Sequence, residues 1–208
     1  MHHGTYIVLE GPDGGGSTTH ARLLCETLRS DGFDIVQTAE PTTGPIGMTI
    51  REQLRGKGIP PDALQMLYSA DRAWHMATVV RPALEAGTTV IGERCHLSTL
   101  VYGEALGLDV PWLERMNEHF IQPDLLLVLM PPFEVCAERL GIRDRDLLEA
   151  DSIQRRVHEA YEHFMRAHPE WILIDTSGDM NLVAEQIATT VKTFLSNRSS
   201  LLHSPHVR

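Results

Sequence analysis

The sequence predicts a single α/β domain with a five-stranded parallel sheet flanked by helices. Five short apolar runs alternate with longer amphipathic stretches, the pattern of strands joined by right-handed helical crossovers. One of those runs, Leu125 to Met130, is wholly apolar and must be covered on both faces, as inside a parallel sheet. At 208 residues and 23.3 kDa the chain holds one sizeable core but not two ordinary ones.

Tyr6-Ile7-Val8-Leu9 reads as the first buried strand, followed by a glycine-rich turn and a helix carrying Ala21, Leu23, Leu24 and Leu28. Asp34-Ile35-Val36 is a second, weaker strand. Residues Asp62 to Glu85 make a long helical stretch with a break, stopped by Gly87, and Thr89-Val90-Ile91 is the third strand. Leu125 to Met130 is the fourth, Trp171 to Ile174 the fifth, and Asn181 to Leu195 a closing helix. The charged run Arg143-Asp144-Arg145-Asp146 between two helices reads as a short mobile loop. The domain is expected over residues 1–195, with 196–208 a polar, flexible tail.

Composition narrows the partners. Hydrophobic residues are 42% and charged residues 22%, ordinary for a globular protein, and the net charge is −10. That balance argues against a nucleic-acid binder or a binder of anionic membranes. No apolar run approaches the roughly 18 residues of a membrane span, and the N-terminus lacks a signal-peptide layout. Cys25, Cys95 and Cys136 have no metal-type spacing, which points to a reduced, cytoplasmic setting. Of the 18 basic residues, all but Lys57 and Lys192 are arginines, so chemistry that needs a positive charge near the N-terminal half must, Lys57 aside, find an arginine.

The turn after the first strand reads Gly11-Pro12-Asp13-Gly14-Gly15-Gly16-Ser17-Thr18-Thr19. A strand, a glycine turn and a helix N-terminus make an anion site, because backbone N–H groups converge and the helix dipole favours phosphate. Gly11, Gly16 and Thr18 fit the phosphate-loop pattern G-x-x-x-x-G-K-[ST], but Ser17 stands where lysine belongs.

Ile7 to Leu24 resembles the phosphate loop of the thymidylate kinase family, and four further landmarks follow in the family's order. They are Glu40-Pro41 with Pro45-Ile46-Gly47; Tyr68 to Ala73; Glu93-Arg94 with Ser98, Thr99 and Tyr102; and Arg143-Asp144-Arg145 with Tyr161. The resemblance spans about residues 5–190 and implies a P-loop kinase fold with a short lid. The family transfers the γ-phosphoryl group of ATP to a deoxynucleoside monophosphate with Mg²⁺, commonly as a homodimer.

By that resemblance Gly11 and Gly14 to Thr19 would cradle the ATP phosphates, with Thr18 and Glu93 at the metal. Asp13 would face the acceptor sugar or help with magnesium, and Arg94 would hold the acceptor phosphate. Pro41, Tyr68, Arg72, Ser98, Thr99 and Tyr102 would form the acceptor site, Tyr68 stacking on the base and Arg72 bonding to its edge. Arg143 and Arg145 in the lid would close over the phosphates and supply transition-state charge.

The chain departs from the family at several points. Ser17 removes the phosphate-loop lysine, and Ala39-Glu40-Pro41 lacks the arginine of Arg-Glu-Pro. Cys95 replaces a tyrosine beside the sugar, which would leave room there for a 2′-hydroxyl. Gly103 stands where many bacterial members have glutamine, and Met130 offers no carboxylate at the fourth strand's end. Three readings stay open: a dTMP kinase in which lid arginines and Mg²⁺ replace the lysine; a same-fold kinase for a different or modified monophosphate; and a nucleotide-binding protein with little or no transfer activity.

Overall fold

The computed structural model describes residues 4–56, 58–141 and 148–202. The lid arginines Arg143 and Arg145 lie outside the described residues. Five parallel strands run β1 (Tyr6–Glu10), β2 (Ile35–Ala39), β3 (Thr89–Glu93), β4 (Leu125–Leu129) and β5 (Ile172–Ile174), in spatial order β2-β3-β1-β4-β5. All five were legible as apolar runs.

The two-residue period of β1 divides the interior into two layers. Ile7 and Leu9 face Leu24 and Leu28 of α1 (Ser17–Ser30) and Ile187 and Val191 of α9 (Met180–Leu202). Tyr6 and Val8 face the other layer, built from α2 (Pro45–Arg55), α3 (Pro61–His75), α5 (His96–Ala105), α6 (Val110–Asn117) and α8 (Asp151–Ala167). The remaining helices are α4 (Arg81–Glu85) and α7 (Phe133–Leu140).

The expected break between Asp62 and Glu85 is a π-helical segment, Met76–Val80, joining α3 to α4. Pro82, in the first turn of α4, has no N–H to return to the turn before it, and the helix widens there rather than stopping. The closing helix also outruns its expected end. It reaches Leu202 because Leu195 is still only 7% exposed and Arg198 Nη1 meets Asp124 Oδ1 at 2.6 Å. The helix thus runs seven residues into the segment 196–208 that the sequence sets apart as a tail. Among the described residues no helix is long and apolar enough to cross a membrane.

Gly103 has a packing reason. A Cβ there would lie 2.3 Å from Leu113 Cδ1, where α5 and α6 touch, and Leu113 is fully buried. A larger side chain at position 103 would have to push Leu113 aside. Gly103→Ala should destabilise the fold by about 1–3 kcal/mol, the usual range for overpacking, read as a lower thermal midpoint. His96 gives a pH test. Burial, with the Arg72 charge behind it, pushes its pKa from 6.5 down to about 4. Between those values the unfolded chain binds a proton that the folded chain refuses, so stability should fall as pH drops through that window. His96→Gln should flatten that fall, measured by urea unfolding at pH 7 and pH 5.

Candidate functional site

At the C-terminal ends of β1 and β3 two clefts meet. The glycine loop builds the first. Gly11 and Gly15 serve close packing, since a Cβ at either would lie 2.3 or 2.7 Å from the Leu129 carbonyl oxygen of β4. Gly14 and Gly16 take positive φ values of 81° and 94°, which bend the loop into the first turn of α1. That turn has N–H groups without intrahelical partners, and with the helix dipole it makes an anion cradle. Gly14, Gly16, Ser17, Thr18 and Thr19 border a cleft of about 390 Å³, with Glu93, Arg94 and Arg139 on its other walls. Gly11 and Gly15 do not border it.

Ser17, at the lysine position, is 5% exposed and donates to Glu93 Oε1 at 2.8 Å. Thr18 Oγ1 donates to the same oxygen at 2.5 Å. Among the described residues no three His, Cys, Asp or Glu side chains are grouped to hold a metal by themselves. A hydroxyl and a single carboxylate beside a phosphate cradle do suit Mg²⁺, which binds through few protein oxygens and keeps phosphate and water ligands. Arg139, on α7, donates to the Gly14 and Thr176 carbonyl oxygens at 3.1 and 2.6 Å and stands on the wall of this cleft.

Asp13 and Arg94 border both clefts. Arg94 leaves β3 with φ at 65°, a left-handed conformation uncommon outside glycine, and its N–H donates to the Leu9 carbonyl oxygen. Its Nη2 meets Asp13 Oδ1 at 2.5 Å. Burial works against the Arg94 charge, but Tyr102, Asp13, Tyr161 and Glu10 around it together outweigh burial and raise its pKa. Asp13 Oδ2 also accepts from the Tyr102 hydroxyl at 2.8 Å and from Gln154 Nε2 at 2.7 Å. Burial raises the Tyr102 pKa, so its hydroxyl stays protonated as a donor.

The second cleft, about 230 Å³, is bordered by Pro41, Tyr68, Ser98, Thr99 and Tyr102, all expected from the sequence. Glu40–Pro41 is a cis peptide. Ser98 is held by Glu10, which accepts from its N–H at 3.1 Å and its hydroxyl at 2.9 Å.

Two expectations are corrected. Arg72 does not border the cleft. It is 1% exposed, and its guanidinium donates to Glu40, Thr99, Asn117 and the Cys95 carbonyl oxygen, which occupies its five N–H groups. It backs the wall that Thr99 presents. Cys95 opens no space beside a sugar. Its side chain is 1% exposed within the helical core and borders neither cleft.

Arg51, Gln65, Gln154 and Arg139 escape a reading of the sequence. Arg51 borders the second cleft and donates to the Pro41 carbonyl oxygen at 2.5 Å and to that of Thr42. Its signal was periodic: Arg51 and Leu54 share a face of α2 and both line the cleft. Gln154 and Gln65 likewise interrupt buried helical stripes, Gln154 with Val157 and Tyr161, Gln65 with Tyr68 and Arg72. Arg139 carried no such mark.

Comparison with known proteins agrees with this geometry. Residues 9–187 match the thymidylate kinase family. The chain is 37% identical over 203 residues to the probable thymidylate kinase of Thermococcus kodakarensis, covering 91% of this chain and 98% of that protein. It is 38% identical over 193 residues to the thymidylate kinase of Synechococcus sp., covering 90% and 94%. With the thymidylate kinase of Pseudomonas fluorescens it shares 37% over 203 residues, covering 92% and 97%. Similarity of this extent, running through both clefts and the sheet between them, makes the chain a member of the thymidylate kinase family.

Proposed function

We propose that the protein transfers the γ-phosphoryl group of ATP to a pyrimidine deoxynucleoside monophosphate, dTMP foremost, giving the diphosphate. The observation that carries this reading is the Asp13–Arg94 pair, common to both clefts. Phosphoryl transfer needs donor and acceptor anions held in line, neutralised and shielded from water, with little covalent help. One guanidinium at the junction of an anion cradle and a second cleft answers that need.

In this reading the amides of Gly14, Gly16, Ser17, Thr18 and Thr19 bind the ATP phosphates, and Arg94 binds the acceptor phosphate. Asp13 fixes the Arg94 guanidinium and accepts a hydrogen bond from the sugar hydroxyl. Tyr68 stacks on the base, with Ser98, Thr99 and Tyr102 around it. Thr18 and Glu93 would hold Mg²⁺, which when bound neutralises charge between the outer phosphates. The charge that Ser17 does not supply comes from Arg139 on the cleft wall and from Arg143 and Arg145 as the lid closes. A cytoplasmic homodimer, free of nucleic-acid and membrane partners, completes the proposal. The net charge of −10 supports the lack of polyanion partners, and Met48 on α2 and Met66 on α3, 56% and 53% exposed, are suited to a helix-face contact. Sedimentation should show a species of twice 23.3 kDa.

ADP release against a panel of monophosphates is the test. Turnover with dTMP above that with purine monophosphates supports the reading, and Arg94→Ala should cut kcat/KM by about 100-fold or more, as expected when a charge-assisted phosphate contact is lost. Ser17→Lys should raise kcat by roughly 10²-fold while changing ATP binding less, because a lysine there acts on the transition state. Arg139→Ala should lower kcat in the natural protein, and adding Ser17→Lys should restore it. A purely structural Arg139 would show no such rescue. Absence of turnover with every monophosphate, together with activity created by Ser17→Lys, would establish a nucleotide-binding protein that does not catalyse.

A further inference from the structure

Tyr161, one of the landmarks of the sequence, borders neither cleft, and Glu10 places an acid at the buried end of β1. The two belong together. Both are 0% exposed, and the Tyr161 hydroxyl on α8 donates to Glu10 Oε2 at 2.8 Å. Glu10 also accepts from the N–H groups of Gly11, Cys95 and Ser98 at 3.3, 2.7 and 3.1 Å, and from the Ser98 hydroxyl at 2.9 Å. Part of this is capping. Cys95 and Ser98 stand at the start of α5, where N–H groups are short of partners, and the Cys95 side chain supplies no cap. Capping accounts for those two N–H groups but not for the two hydroxyls.

The hydroxyls bear on direction. A serine hydroxyl has one proton to give. At Ser98 that proton goes to Glu10, so the oxygen keeps its lone pairs for other donors, and Arg94 Nη1 donates to it at 3.2 Å. Arg94 is thereby held at both ends of its guanidinium, Nη1 by Ser98 and Nη2 by Asp13 Oδ1. Ser98 and Arg94 both border the acceptor cleft. Burial raises the Tyr161 pKa, so its hydroxyl stays protonated and goes on donating to Glu10. We propose that Glu10 is a positioning residue for Arg94: it fixes the Ser98 hydroxyl as a donor, and the serine oxygen then holds Arg94 Nη1 in the direction the acceptor phosphate needs. Tyr161 keeps the carboxylate in place. An arginine has many rotamers, and one already held at two points meets an anion with less entropy left to lose. The proposal rests on the reading that Arg94 binds the acceptor phosphate.

Calorimetric titration of the full chain with dTMP and with thymidine, which lacks the phosphate, reads this chain of contacts. Ser98→Ala breaks the link to Arg94 and leaves Glu10 on the backbone N–H groups. It should weaken dTMP binding by about 10-fold, the order expected for one hydrogen bond to a charged group, and leave thymidine unchanged. Glu10→Gln should weaken dTMP binding likewise, and the two substitutions together no more than either alone. In an Arg94→Ala background neither should have a further effect on dTMP. A Glu10→Gln variant with a lower thermal midpoint but unaltered dTMP affinity would overturn the proposal, by showing that Glu10 only caps α5. Losses shared equally by thymidine, or persisting without Arg94, would overturn it too. If the unaltered protein does not bind dTMP, or Arg94→Ala binds it as well, the phosphate reading falls and this proposal falls with it. If Arg94→Ala weakens dTMP binding while Ser98→Ala and Glu10→Gln do not, only this proposal falls. Should Glu10→Gln fail to fold, Tyr161→Phe, which removes a single hydroxyl from Glu10, takes its place in the same comparison.

Discussion

The buried ion pair between Arg72 and Glu40 holds the acceptor side of the molecule together. The two side chains are 1% and 3% exposed and meet at 2.8 Å. Burial alone would raise the Glu40 pKa, but Arg72 and His75 outweigh it and keep the carboxyl below its usual value. Charges this deep are tolerated only when nearly every donor and acceptor is matched. Glu40 follows β2, Thr99 lies on α5, Asn117 on α6, and the Cys95 carbonyl between β3 and α5, so one guanidinium on α3 joins four parts of the chain. His75, one turn beyond Arg72, extends the network from Glu40 to Thr38 at 2.6 Å. A wall tied in this way keeps Pro41, Tyr68 and Thr99 in fixed relation before any ligand arrives, which is what binding without reorganisation requires.

Most of the architecture was legible because strands buried on both faces are apolar without interruption. The central strands β1 and β4, buried throughout, stand out against any amphipathic background, while β2, with Gln37 and Thr38, was the weaker signal. Side-chain destinations were harder to read. Arg72 and Tyr68 do share a helix face, but spacing does not say which of two neighbours reaches the cleft and which reaches the core. That choice was made by Glu40, distant in sequence. Cys95 followed the same rule: the residue after Arg94 turns inward because Arg94, with its left-handed backbone, turns outward. The contact that requires Gly103 involves Leu113 on another helix, so nothing local marks it. Polar residues set in buried stripes were the signal left unused, and both Gln65 and Gln154 carried it.

The electrostatics of the site run against those of the chain. An acidic protein repels nucleotides at long range, while the two clefts present Arg51, Arg94 and Arg139 at short range. Local positive charge in a low-dielectric cleft outweighs a distant, screened net charge. Arginine also offers planar, multiple N–H groups where a lysine offers a point charge, so the loss of one phosphate-loop lysine changes the geometry of neutralisation as much as its amount.

The π-helical segment between Met76 and Val80 carries a lesson about insertion and deletion. Such a turn is what one extra residue leaves in an α-helix that keeps both of its ends in place. Excising a residue there would restore ordinary helical winding and leave the two ends in the phase they already have. Arg72 on one side and Leu84 on the other, 1% and 2% exposed, could then both stay buried, whereas a deletion in the α-helical turns on either side would rotate one against the other by about 100°. The π-turn is thus a slack link between the acceptor wall and the underside of the sheet, a place where the helix can differ in length by one residue while the turns on either side hold their phase.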